Sequence, residues 1–491
     1  MVEKISKKDF LEFTTSIDLD RVIFLEDVWG SQAHAIMLAK QKIIEKNDLK
    51  GLLQWLEKAK NEFLAGNFRL DEELEDVHMN VEDFVKKGCG DEVGGKLHTA
   101  RSRNDQVIVD TKLHLREEIL KLQEGIIGLQ KAFLKVAKGN EKTIMPGFTH
   151  MQHAQPMSFA FWATGYVSML ARDLERLQQA YDRVNINPLG ACAMSGTSLP
   201  TDRTITTKLL GFREIHEHAL DAVSSRDFII ETLADVAILA SNLSKLAEEL
   251  VLWSSYEFSF IEIDEAYCSG SSIMPQKRNP DVAELVRGRT GHMYGSLVNI
   301  LTSTKGLPMG YNRDLQEDKL PLWYSITLMD STLKILAKVI DSMKLNKARM
   351  GQYAATGFSG ATALANYLVE KHKLSFRNSH GVIKKLVDEL ATRGGTLENI
   401  DSVVEMLKVE GIKTRAKDII DVINVEKILE SQNSLGGTSP EEVSRMEEKL
   451  GRSIALGEGV LNESWIGINK AKKLTEDVIK KFLYGGELMD F

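Results

Sequence analysis

Cysteine and proline are scarce in this chain, and each shortage excludes something. Of 491 residues only three are cysteine, at 89, 192 and 268. The number is odd and no CxxC spacing occurs, so neither a disulfide framework nor a structural zinc site is expected, and a reducing, cytoplasmic compartment is the default. No apolar run approaches the length of a membrane span. The opening Met1-Val-Glu-Lys-Ile-Ser-Lys-Lys-Asp-Phe10 lacks the apolar core of an export signal, so neither membrane insertion nor secretion is expected. A basic excess is also missing: net charge is -8, which argues against nucleic acid as a partner and leaves any anionic substrate to be drawn by local charge.

Proline is absent before Pro146, between Pro200 and Pro275, and between Pro321 and Pro440, so long helices are permitted there. Apolar spacing then predicts them. Leu115, Ile119, Leu122, Ile126, Leu129, Phe133 and Val136 step alternately by four and three. Ala163, Val167, Leu170, Leu174, Leu177, Tyr181 and Val184 repeat the pattern, as do Ile229, Leu233, Val236, Ala240, Leu243, Ala247 and Leu250. Ile326, Met329, Leu333, Leu336, Ile340 and Met343 form a fourth seam. Several such segments, separated by loops rather than strands, give an all-α bundle of nearly parallel or antiparallel helices. Phe228, Ile230, Ile238, Leu239, Leu246 and Val251 carry apolar surface beyond a single seam, which calls for a large bundle or for contacts between subunits.

The expected division is an N-terminal helical region, 1–105, a central long-helix bundle, 106–350, and a smaller C-terminal region, 351–491, of shorter, more polar segments. The Gly-rich turn Gly88-Cys-Gly-Asp-Glu-Val-Gly-Gly95 lacks GxGxxG spacing and a βαβ setting, so no dinucleotide site is expected. Neither an internal repeat nor a low-complexity tract interrupts the chain.

Three strings concentrate reactive side chains. Cys268-Ser-Gly-Ser-Ser-Ile-Met-Pro-Gln-Lys-Arg-Asn-Pro-Asp281 reads as a mobile, hydroxyl-rich loop running into a helix, with Asn279 as N-cap and Pro280 as the first helical residue. Lys277 and Arg278 beside that helix N-terminus suit a carboxylate. His98-Thr-Ala-Arg-Ser-Arg-Asn-Asp-Gln106 crowds guanidinium, hydroxyl and amide groups ahead of a helix; it suits carboxylate recognition, or equally a charged helix cap. Gly147-Phe-Thr-His-Met-Gln-His-Ala-Gln-Pro156 places His150 as either a proton carrier or a hydrogen-bonded structural histidine. The pairs His150/His153 and His216/His218 lack accompanying ligands, so no metal is expected.

The loop Gly270-Ser-Ser-Ile-Met-Pro-Gln-Lys-Arg-Asn-Pro280 resembles the signature loop of the fumarase/aspartase superfamily, lyases that eliminate fumarate from succinyl-type substrates. With Gln276 before Lys277, and with the strings at 98–106, 149–156, 225–228 (Ser-Arg-Asp-Phe) and 311–319 (Tyr-Asn-Arg-Asp-Leu-Gln-Glu-Asp-Lys), the resemblance narrows to argininosuccinate lyases; it runs most strongly from about 31 to 321. The Gly-Arg-Phe start common in that family is absent here. The resemblance implies cleavage of argininosuccinate to arginine and fumarate without metal or organic cofactor, by a homotetramer whose sites each draw on three subunits. It assigns Ser271 as base, His150 as proton donor or relay oriented by Glu284, and Lys277 as partner of the aci-carboxylate. Arg103, Asn104, Thr149, Ser272 and Asn279 become carboxylate contacts, and Tyr311, Gln316 and Lys319 hold the other end of the substrate. The alternatives are a related lyase acting on adenylosuccinate, disfavoured by Gln276, and a crystallin-like protein that keeps the fold without turnover, disfavoured by the intact Ser271, Lys277 and His150.

Overall fold

The computed structural model describes residues 7–488, so the six N-terminal residues, on which the export-signal reading partly rests, lie outside the described ones. The class is all-α. Five long helices make the central bundle: Arg103–Ala137, Phe159–Val184, Asp227–Ser254, Asp281–Thr304 and Lys319–Ser342. Their seams are the expected ones. Leu115, Ile119, Leu122, Ile126, Leu129 and Phe133 are fully buried, and the 229–250 and 326–343 series are buried throughout. Side-chain caps fix the starts: Ser102 accepts from the Asn104 N–H while Asp105 returns a bond to Ser102, and Ser158 accepts from the Phe161 N–H.

The 103–137 helix packs against 159–184, 319–342 and 440–483, while 227–254 packs against 281–304 and 159–184. Gly125 permits one close approach, since a Cβ there would meet Leu333 at 3.0 Å. Of the extra apolar residues on 227–254, Phe228, Leu239 and Leu246 are buried by neighbouring helices, whereas Ile238 is 40% exposed. Leu243 lies in the seam, buried. Leu243→Asp is therefore expected to cost roughly 3–5 kcal/mol by leaving an unpaired charge in the core. A urea melt as stable as the parent's would contradict the seam assignment.

The C-terminal region departs from the expected run of short segments. A small separate core does form from Leu364, Leu368, Ile383, Leu386, Leu390, Val403, Leu407 and Ile419. Pro440–Leu483, however, is a single helix of 44 residues that returns to the main core. Ser439 caps it and Pro440 opens it, where a missing N–H costs nothing. Its buried positions are sparse at first, Val443, Ile454, Leu461 and Ile468, and close into three- and four-residue steps only at Ala471, Thr475, Val478, Ile479 and Phe482, so most of its length shows no dense seam among the charged residues.

Strand content is confined to four two-stranded ladders among the described residues. Ile144–Thr149 and Gln152–Ser158 form one of them, a hairpin. Among the described residues no helix is long and apolar enough to cross a membrane.

Candidate active site

Ser102 and Asp105 start the 103–137 helix, and this fixes Arg103 and Asn104 at its N-terminal end. Arg103 donates to Asp76 at 2.8 Å, and Asp76 is itself the N-cap of Val77–Cys89, accepting from Met79 N–H at 2.7 Å. Asn104 donates its amide to Ala193 O at 2.9 Å.

Beneath this string lies a buried polar cluster that the sequence did not reveal. His78 Nδ1 is 2.9 Å from Asp27 and 3.4 Å from Asp110, and Gln106 donates to Asp27 at 2.5 Å. Burial pushes Asp27 up, but His78 and Arg101 outweigh it and hold its carboxyl at about 2. Burial and the charge of Asp27 push Asp110 well above the usual carboxylate range. These are the three potential metal donors that converge, within 4.8 Å, among the described residues. Protein groups already answer the Asp27 charge.

His34, also buried, bonds through Nε2 to Thr99 O at 2.8 Å, and burial pushes its imidazole down to about 3. The unfolded histidine titrates near about 6.5. Between those values the unfolded chain binds the proton and the folded chain does not. Stability from this group is therefore full above the unfolded pKa and is lost as pH falls, by roughly 2 kcal/mol at pH 5. His34→Gln, which keeps the donor to Thr99, is expected to flatten that part of the acid melting curve; an unchanged slope would contradict it.

His150 occupies a place the sequence reading missed. Between the 103–137 and 159–184 helices it sits at the tip of the hairpin, where His150 (φ 55°) and Met151 (φ 57°) form a two-residue turn with both residues left-handed. The turn throws His150 and the adjacent Thr149 into solvent. The His150 side chain makes no hydrogen bond or ion pair among the described residues. Phe148 anchors the hairpin through Phe258, with ring centroids 5.9 Å apart.

The 268–281 loop is pinned at its base and free at its crown. Ser269–Gly270 pairs with Arg278–Asn279, and Asp281 accepts from Ser269 N–H at 2.5 Å. The following helix starts one residue later than expected, at Asp281 with Pro280 at the N-cap, because Asn279 is drawn into the ladder and its amide bonds Ser269 Oγ at 3.2 Å. In the crown, Ser271 Oγ accepts from the N–H groups of Ile273 (3.2 Å) and Met274 (3.0 Å). The side chains of Ser272, Gln276 and Lys277 are exposed and make no hydrogen bond or ion pair among the described residues. Glu284 projects from the first turn of the helix into solvent and does not touch His150 within this chain.

The 311–319 string is more deeply engaged. Lys319 is buried against Asp20; burial opposes its charge, but Asp20 and Asp318 hold its ammonium above the usual value. Gln316 donates to Thr14 O at 3.3 Å, and burial pushes the Tyr311 phenol up. Ser16 and Asp20, joined at 2.5 Å, were not singled out by sequence, since a Ser and an Asp in a short helix carry no distinguishing pattern. Arg313 bonds Glu75 at 2.6 Å, next to the Asp76 that holds Arg103, so the 98–106 and 311–319 strings are neighbours.

The four strings thus form two groups at opposite ends of the bundle. Arg103 opens a 35-residue helix whose far end, about 50 Å away, leads into the His150 hairpin. Ser271 and Lys277 precede a 24-residue helix whose far end, about 36 Å away, leads to Tyr311.

The family model described as "Lyase" matches residues 4–295, and the one described as "Argininosuccinate lyase C-terminal" matches 358–430. Argininosuccinate lyase 2 of Shouchella clausii is 46% identical over 432 residues, 88% of this chain and 92% of that protein. The argininosuccinate lyase of Acetivibrio thermocellus is 42% identical over 441 residues, 90% of this chain and 95% of that one. Among solved structures, EDDS lyase in complex with formate matches with a TM-score of 0.87 at 27% identity, covering 98% of this chain and 96% of that chain. The chain belongs to the argininosuccinate lyase family of the fumarase/aspartase superfamily.

Proposed function

We propose that this protein cleaves argininosuccinate to arginine and fumarate in the cytoplasm, without metal or organic cofactor, at sites completed only in a homotetramer. The observation that carries the reading is the intact signature loop, Gly270 to Pro280, in a chain 46% identical to an argininosuccinate lyase over most of its length. The carbon–hydrogen bond to be broken is weakly acidic. Proton removal requires the adjacent carboxylate to take up charge as an aci-carboxylate, which Lys277 and the backbone N–H groups of the loop stabilise. Ser271 acts as base. A serine hydroxyl is poor in that role unless negative charge on Oγ is favoured, and the N–H groups of Ile273 and Met274, already directed at Oγ, favour it, as does the Lys277 ammonium in the same loop.

His150, fixed at the hairpin tip and oriented by Glu284 of another subunit, delivers the proton to the departing guanidino nitrogen. Arg103, Asn104, Thr149, Ser272 and Asn279 hold the carboxylates, with Gln276 beside them. Tyr311, Gln316 and Lys319 hold the other end of the substrate. In this division, 1–105 supplies the first string, 106–350 the bundle and the other three, and 351–491 the small core with the returning helix.

Assembly rests on the 281–304 helix. Only one stripe of it, Ala283, Val286, Thr290, Met293, Ser296 and Ile300, is buried within the chain. Its outer face carries Leu285, Tyr294, Val298 and Leu301, each at least 44% exposed, beside Gly288, Gly291 and Gly295, where a Cβ would meet nothing. An apolar face with small residues lets a second helix approach closely, as a shared subunit core requires.

Fumarate release, followed by ultraviolet absorbance with argininosuccinate, adenylosuccinate and EDDS offered separately, tests the reading. Release from argininosuccinate alone is expected. Release from adenylosuccinate or EDDS instead would reassign the substrate, and no release from any of them would point to a fold kept without turnover.

A further inference from the structure

Asp105 is fully buried, yet its carboxylate does not serve the hydrophobic core. One oxygen accepts from Ser102 N–H at 3.0 Å; the other accepts from Gly190 N–H at 2.9 Å and Cys192 N–H at 2.8 Å, more than 80 residues on. Burial still pushes its carboxyl above the usual carboxylate range, and the three backbone N–H groups answer that cost only in part. The same loop is stitched to this string twice more, by Asn104 Nδ2 to Ala193 O and by Cys192 Sγ to Ala100 O at 3.1 Å. From the opposite side Arg203 donates to Leu189 O at 2.9 Å and Asn187 O at 3.1 Å. Gly190 makes the fit possible, having φ 93° and an Arg203 carbon only 2.8 Å from where a Cβ would stand.

The loop therefore has two unlike halves. Up to Ala193 it is clamped. From Met194 it is exposed, and the hydroxyls of Ser195 and Ser198 make no hydrogen bond among the described residues. A connection that merely reversed the chain would need no buried acid to hold it against Asn104. The clamp also locks the Asn104 amide, leaving one N–H and the carbonyl free for a ligand.

We infer that the segment Ala193–Ser198 is a second wall of the substrate-carboxylate pocket, with Ser195 and Ser198 as neutral donors and Asp105 as the positioning residue that holds the wall against Asn104. The inference rests on the reading that Asn104 contacts substrate. It adds hydroxyl donors opposite a guanidinium and an amide, a donor set suited to a carboxylate.

The test is steady-state kinetics of the assembled enzyme with argininosuccinate. The Ser195→Ala/Ser198→Ala double variant is expected to raise KM about tenfold, the loss of hydrogen bonds to a charged group, while kcat stays within about threefold. Its thermal midpoint should not move, because both hydroxyls are exposed. Asp105→Asn, which keeps one acceptor and loses the charge, is expected to raise KM similarly and to speed amide exchange across 188–200. A KM change below about threefold in the double variant overturns the inference, whether or not Asp105→Asn folds. Asn104→Ala in the same assay separates the two levels. If it raises KM while the double variant does not, the wall alone is wrong; if neither changes KM, the placement of Asn104 at the substrate falls with it.

Discussion

Ser271→Ala is expected to lower kcat by about three orders of magnitude and Lys277→Ala by two to three, the usual scale for removing a general base and one stabilising group at a developing oxyanion. KM should change little in either variant, because both groups act on charge that appears only in the transition state. Helix content and thermal midpoint should hold as well. Both residues lie in the crown of a loop pinned at its base by the Ser269–Asn279 and Gly270–Arg278 pairs and by Asp281, and the Lys277 side chain has no hydrogen bond or ion pair among the described residues to lose. Ser271→Ala loses only two bonds from exposed backbone N–H groups. Steady-state fumarate release with the purified enzyme measures kcat directly. Near-normal turnover by Ser271→Ala would remove the base assignment and shift attention to a hydroxyl or carboxylate brought by another subunit.

The elements legible in the sequence are those whose physics is periodic. A seam such as Ile229, Leu233, Val236, Ala240, Leu243 states both the helix and its buried face, because each residue is read against neighbours three and four positions away. The 440–483 helix escaped because its core contacts are sparse as far as Ile468 and fall into three- and four-residue steps only over its last third, while apolar residues such as Leu456 and Ile466 face outward and blur the pattern. The hairpin at 144–158 escaped for a different reason. Its turn residues are His150 and Met151, not the Asn-Gly or Gly pairs that advertise a left-handed turn, and Pro146 and Pro156 in the strands speak against pairing. The candidate site was legible as strings, since Ser271, Lys277, His150 and Asn104 each sit in a dense polar run. Its supports were not. Asp20 beneath Lys319, Asp76 beneath Arg103 and the Asp105 clamp on 190–192 join residues from 27 to 299 positions apart, and nothing local marks them.

Refolding mixtures of inactive variants should restore activity in a pattern set by the two ends of the bundle. Asn104 and Ser271 belong to opposite groups, as do Asn104 and His150, so one small substrate cannot meet both members of either pair from one chain. On the proposed assignment of both residues to one site, each site takes them from different subunits. In randomly assembled tetramers from equal amounts of two variants, about one site in four receives both intact residues. Asn104→Ala refolded with Ser271→Ala, and Asn104→Ala refolded with His150→Asn, are therefore each expected to recover roughly a quarter of parental activity from components that are nearly inactive alone. His150 and Ser271 lie at the same end, and the pairing of their variants decides whether a third chain takes part. Recovery to a similar level is expected, because the His150 side chain forms no bond to the signature loop or to Glu284 within the chain. If that mixture stays inactive while the other two recover, both residues come from one subunit and each site is built from two chains. If all three stay inactive although native mass spectrometry shows mixed tetramers, the separation of the groups along the 103–137 and 281–304 helices does not describe the working site.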